Sequence, residues 1–283
     1  MSAEPLIRNI SDTALWVAIY RAMETESPNP VFRDPFARRL AGKRGEEIMA
    51  SIKQSQQYAW SYTARTYLID TFVQQEVASG ADMVIDLAAG LDARPYRMQL
   101  PPSLQWIEID LPEMINYKRE ILKNEKPVCR LERIAIDLAN PASRRGAFEE
   151  LGRASKRALI ISEGLLVYLN ADEVCALARD LADQPAFKRW ATDLTTPALL
   201  KMLQKQIGGR LEQASAPLKF APAEGPRYFE KCGWKPIDVR GMLQTAAKLH
   251  RLSFLFRLFA LFPDSKGEKP KAIWGGVVLL ERA

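Results

Sequence analysis

The chain reads as an α/β protein built on a doubly wound, mostly parallel sheet of seven strands, and three observations carry that reading. From residue 82 onward, short β-rich runs alternate with helical ones, the pattern that builds a parallel sheet with helices on both faces. Residues 11–79 read instead as helices, which makes 1–80 a helical extension ahead of an 81–283 core. The last β-rich run reaches the chain end with no helix after it, so the last strand is expected to join the sheet antiparallel.

Taken in order, SDTALWVAIYRAMETE (11–26) places Leu15, Ala18, Ile19 and Ala22 at helical spacing, and SYTARTYLIDTFVQQEVAS (61–79) does the same with Tyr67, Leu68, Thr71 and Phe72. Between them, Asp34-Pro35 starts a short helix. The strand runs are 83–88, 104–110, 131–137, 158–164, 187–194, 235–240 and 272–282. PEMINYKREILKNE follows the second with proline in its first turn, and ADEVCALARDLAD follows the fourth with Asn170 and Glu173 spaced as a capping pair. Residues 197–230 carry four prolines and Gly208-Gly209 around helical fragments, too long for a simple connection and suited to a cap over a site. No repeat divides the chain, which reads as one domain.

Composition narrows the function. With 283 residues, 47% hydrophobic and 26% charged, disorder and fibre are excluded. No apolar stretch is long enough to span a membrane and no signal peptide opens the chain, so stable membrane insertion is not expected and the cytoplasm is the expected location. Cys129, Cys175 and Cys232 are odd in number and lack CxxC spacing, and read as reduced core residues with no disulfide framework and no metal site. The net charge of +6 arises in residues 181–283, which carry 17 basic and 9 acidic side chains. Lys248, Arg251 and Arg257 interrupt the apolar run Leu249 to Phe262, which we read as a core helix with snorkelling charges and not as a nucleic-acid or membrane surface. A single histidine, His250, leaves little room for imidazole-based catalysis.

The informative stretch is VIDLAAGLDARPYRM (84–98). Ala88, Ala89 and Gly90 let the backbone turn sharply and approach a ligand, and Asp86 leaves the strand beside that turn. Twenty residues past Gly90, Asp110 ends the second strand, where an acid accepts hydrogen bonds from ribose hydroxyls. The ligand therefore bears adenosine. Without GxGxxG a dinucleotide such as NAD is disfavoured, whereas S-adenosylmethionine has no phosphate to cradle.

The same string resembles the VVDLGAGLDTRAYRL-type signature of S-adenosylmethionine-dependent methyltransferases related to leucine carboxyl methyltransferase, including their bacterial small-molecule branch. FRDPFARRL (32–40), ARTYLID (64–70), IEIDLPEMINYK (107–118) and ISEGLLVYL (161–169) match that pattern in the same order. The resemblance implies a class I methyltransferase, Rossmann-like fold with an N-terminal helical extension, and S-adenosylmethionine as cofactor. It also implies roles: Arg65 for the methionine carboxylate, Gly90 beneath the same moiety, Asp110 for ribose, Asp137 and Leu138 for adenine, Glu163 in the cofactor pocket and Tyr168 as a neighbour facing substrate. Two departures stand out. Ala88-Ala89-Gly90 has lost a glycine of the family's Gly-Ala-Gly, and Arg21 falls where the protein-methylating branch uses a lysine.

A sulfonium donor is already activated, so the protein mainly positions the acceptor and excludes water. A carboxylate acceptor needs no general base, which suits a histidine-poor chain and favours O-methylation of a small organic acid. Methylation of a protein C-terminal carboxylate and a non-catalytic basic membrane- or nucleic-acid-associating homologue are the alternatives. Trp16, Tyr20, Tyr228 and Phe229 are the aromatic candidates for the acceptor pocket.

Overall fold

The computed structural model describes residues 11–51 and 55–283. Three helices come first: α1 (Ser11–Glu26), α2 (Ala37–Ser51) and α3 (Ala59–Ala78). Asp34 shapes the α1–α2 corner, because its buried carboxylate accepts from Arg21 Nε at 2.9 Å and from the Phe36 N–H at 3.2 Å. The helix read as short runs for 15 residues, and it kinks at Gly42, whose φ of 57° leaves the helical region.

The strands are β1 (Met83–Leu87), β2 (Gln105–Asp110), β3 (Arg130–Ala135), β4 (Ala158–Ser162), β5 (Phe187–Thr195), β6 (Trp234–Gly241) and β7 (Gly275–Arg282). They form one sheet in the order β3-β2-β1-β4-β5-β7-β6. The first five are parallel, and β7 runs antiparallel between β5 and β6. Side-chain alternation along β1 sends Met83, Ile85 and Leu87 to one face and Val84 to the other. The first face packs on α6 (Pro141–Ala154) and α7 (Ala171–Ala182), through Phe148, Leu151, Val174 and Leu177. The second buries Leu68, Ile69, Phe72 and Val73 of α3. Asn140 caps α6 through the Ala142 and Ser143 N–H groups, and Asn170 with Glu173 forms the expected capping box on α7.

From β1 the chain winds outward to β2 and β3 and then returns to place β4 on β1's other side. This reversal opens a crevice at the carboxyl ends of β1 and β4, where open α/β sheets bind ligands. The short α4 (Arg94–Arg97) and α5 (Pro112–Ile121) lead away from it. Over the crevice lie α8 (Pro197–Leu203), a π-type turn Gln204–Gly208 and α9 (Gly209–Gln213).

Two sequence expectations are corrected. Cys175 and Cys232 are not reduced but form a disulfide joining α7 to the 3-10 segment Gly225–Cys232 ahead of β6, with Cα atoms 5.5 Å apart. Their sequence separation of 57 hides a proximity created when the chain folds back over α7. Cys129 is free and buried, as expected. The run Leu249 to Phe262 is not a core helix. Its chain breaks after α10 (Met242–Lys248), with His250 at φ 56°, and restarts as α11 (Phe254–Phe259), which fully buries no residue and packs inward only through the half-buried Phe256. Among the described residues no helix is long and apolar enough to cross a membrane.

Candidate active site

The crevice is a cavity of about 1320 Å³. Arg65, Asp86, Gly90, Asp110, Asp137, Leu138, Glu163 and Tyr168, drawn from five separate segments, all line it. After β1 the backbone turns through two left-handed residues, Ala88 at φ 51° and Gly90 at φ 47°. The missing glycine therefore falls at a position that a side chain strains, and Ala88 bears that strain. Gly90 has little room for a side chain, since a Cβ there would stand 3.3 Å from that of Ala14. Its N–H donates to Asp110 Oδ2 at 2.6 Å, and the Leu111 N–H donates to Oδ1 at 2.7 Å. Asp110 thus ties the β1 turn to the end of β2. Burial pushes its carboxyl upward against the lowering effect of these two N–H groups.

Behind the loop lies a layer of alternating charge. Arg65 donates through Nε to Glu163 Oε1 at 3.0 Å and through Nη1 to Asp193 Oδ2 at 3.3 Å. Among the described residues its Nη2 has no hydrogen-bond partner. Glu163 Oε2 accepts from Arg94 Nη2 at 2.8 Å, and Arg94 also reaches Asp70 Oδ1 at 2.6 Å and Asp92 Oδ2 at 2.5 Å. Arg97 closes the layer on both oxygens of Asp70. Burial resists ionisation of Glu163, but Arg94 and Arg65 outweigh it and hold its carboxyl below the usual range. Asp86 differs. Burial, together with the Asp92 charge, drives its carboxyl well upward, and among the described residues its buried Oδ2 has no hydrogen-bond partner.

At the β3 end Asp137 Oδ1 holds the Ala139 N–H at 2.8 Å, and Leu138 presents an apolar side chain to the cavity. Towards the N-terminal helices the wall is aromatic: Trp16, Tyr20, Tyr62 and Tyr168, with Tyr20 and Tyr62 stacked at 4.1 Å. Burial raises all three phenols, Tyr168 to about 12. Leu199, Leu203, Ile207, Leu211 and Leu218 supply the roof from the 197–230 segment. Tyr228 and Phe229 lie elsewhere, in the core beneath the sheet, and His250 is exposed outside the cavity. Sequence reasoning missed Asp92, Arg94 and Asp193. The first two stand inside the 84–98 string just past its glycine, and that position was the available signal. Arg21, left without a role, donates through Nη2 to the Leu91 carbonyl beside the loop.

The leucine carboxyl methyltransferase family model matches residues 14–182, which carry every one of these loops except the β5 end and the roof. The chain belongs to the leucine carboxyl methyltransferase family. As a member it is a methyltransferase that uses S-adenosylmethionine as donor. A Frankia alni protein named for S-adenosyl-L-methionine-dependent methyltransferase activity is 35% identical over 234 residues, covering 79% of this chain and 82% of its own. A Streptomyces avermitilis protein named for the same activity is 32% identical over 67% of this chain and 70% of its own. In fold, the chain is similar to the crystal structure of a Thermobifida fusca protein described as a methyltransferase, with TM-score 0.59 and 16% identity across 98% and 96% of the two chains.

Proposed function

We propose that this family member methylates a carboxylate oxygen of a small, largely apolar organic acid. The observation that carries the reading is what the acceptor wall lacks. Among the described residues, the aromatic wall offers phenols pushed upward by burial and a glutamate held ionised by two arginines, so none of these is set to take a proton near neutral pH, and the raised carboxyl of Asp86 is assigned below to the cofactor. An acceptor that arrives already ionised meets no obstacle.

The residues present fit the cofactor. Asp86 Oδ2, buried without a partner on the cavity wall, fits a donor of the methionine moiety. Arg65 has Nη2 left for the methionine carboxylate, while Glu163 and Asp193 fix its other two nitrogens. Asp110 is held by two backbone N–H groups with lone pairs to spare for the ribose hydroxyls. Asp137 and Leu138 flank the adenine end. When bound, the cofactor supplies an activated methyl group on a cationic sulfur. The chain's part is then orientation and exclusion of water. Tyr168, Tyr62 and the leucines of the roof enclose the acceptor, and a cavity of this size accommodates both molecules.

The test is a panel of acceptors that share one apolar skeleton and bear a carboxylate, a phenol or an alcohol, incubated with methyl-labelled donor. The expected product is a methyl ester that releases its label as methanol in mild alkali. Label found only in alkali-stable ethers overturns the reading.

A further inference from the structure

The mouth of the cavity carries a feature that methyl transfer does not require. Phe254, Leu255, Leu261, Phe262 and Ile273 are between 66% and 80% exposed, next to one another in α11, the turn after it and the approach to β7. Apolar residues scattered singly over a surface are ordinary, but a contiguous cluster of this size marks a binding surface. Phe256, tilted against Trp60 at 5.6 Å, fixes α11 to the N-terminal helices. Phe262 and Ile273 belong at once to this patch and to the cavity lining, so patch and mouth are continuous.

Its electrostatic frame selects the partner. Residues 248–273 contain six basic and two acidic side chains. Lys248, Arg257, Lys266, Lys269 and Lys271 are exposed. Of the acids, Asp264 turns inward to the Gly241 N–H and Trp274 Nε1, leaving Glu268 alone at the surface. A second copy docking here through a two-fold axis would bring five cations against five. We propose instead that this lip docks on an anionic lipid surface, its aromatic and leucine side chains entering the headgroup boundary while the surrounding lysines and arginine meet lipid phosphates. Docking in this way sets the cavity mouth against the membrane. It does not depend on the acceptor reading above, because vesicle binding is measured without methyl transfer.

The experiment is flotation of the full chain with phosphatidylcholine vesicles and with vesicles rich in phosphatidylglycerol. Binding to the second and not the first, weakened by salt, is expected. The combined variant Phe254→Ser, Leu255→Ser, Leu261→Ser touches no cavity residue and is expected to weaken binding by about tenfold or more, with S-adenosylhomocysteine affinity unchanged as proof of folding. Should that variant fail to fold, Lys269→Glu with Lys271→Glu is expected to weaken anionic-vesicle binding in the same direction. Absence of binding to anionic vesicles, binding unchanged in a folded variant, or a dimer that the serine variant dissociates would each overturn the proposal.

Discussion

Asp110→Ala probes the joint between fold and cofactor. In the free protein it removes the acceptor of the Gly90 N–H at 2.6 Å and of the Leu111 N–H at 2.7 Å. Both donors border the cavity and can turn to water, so the stability loss is about 1–2 kcal/mol, a melting shift of several degrees. In the complex the variant also loses bonds from the ribose hydroxyls to a charged acceptor. Affinity for S-adenosylhomocysteine is expected to fall by about 1–3 kcal/mol, roughly 5- to 150-fold. Calorimetry separates the two effects when the 2′-deoxy ligand is titrated alongside, at a pH of about 8 because burial raises the Asp110 carboxyl. In the parent protein the missing hydroxyl costs about 1 kcal/mol or more, whereas in the variant it costs nothing. A deoxy penalty of equal size in both proteins would refute the ribose assignment.

Two further outcomes follow from the same geometry. Ala88→Gly relieves a left-handed alanine at φ 51°, worth about 1–2 kcal/mol, against about 0.5–1 kcal/mol of added freedom in the unfolded chain. The melting temperature should therefore hold or rise, and a clear drop contradicts the strain. Glu163 has a lower pKa folded than unfolded, so it binds fewer protons in the native state. Its contribution is present above the unfolded value of about 4.3 and is lost as pH falls through the folded one. Denaturant unfolding from pH 6 down to about 2 should show that loss, and Glu163→Gln should flatten its slope; identical slopes exclude the arginine pairing as its cause.

What was legible follows from range. Each strand run coincides with an observed strand to within a few residues, because β-rich segments bounded by turn signals carry their assignment locally. Asp110 was legible from its spacing to Gly90, and the two are in contact. The charge layer was not, since Arg94 finds Asp70 and Glu163 24 and 69 residues away and local pattern says nothing of such pairs. The Cys175–Cys232 link was hidden for the same reason. Phe254 to Phe262 misled in another way. Apolar composition states that a segment avoids water when something is there to cover it, and whether anything is there is decided by the rest of the fold.

The central claim is that a β1 loop with a single glycine, tied to Asp110 and backed by Arg65 and Glu163, holds an adenosyl donor and no dinucleotide. Calorimetric titration of the purified chain with S-adenosylmethionine, S-adenosylhomocysteine and NAD tests it directly. The account predicts stoichiometric binding of both adenosyl ligands, lost together in Arg65→Ala, and no heat of binding with NAD. Silence with both adenosyl ligands, or NAD binding as tightly as either, would contradict it.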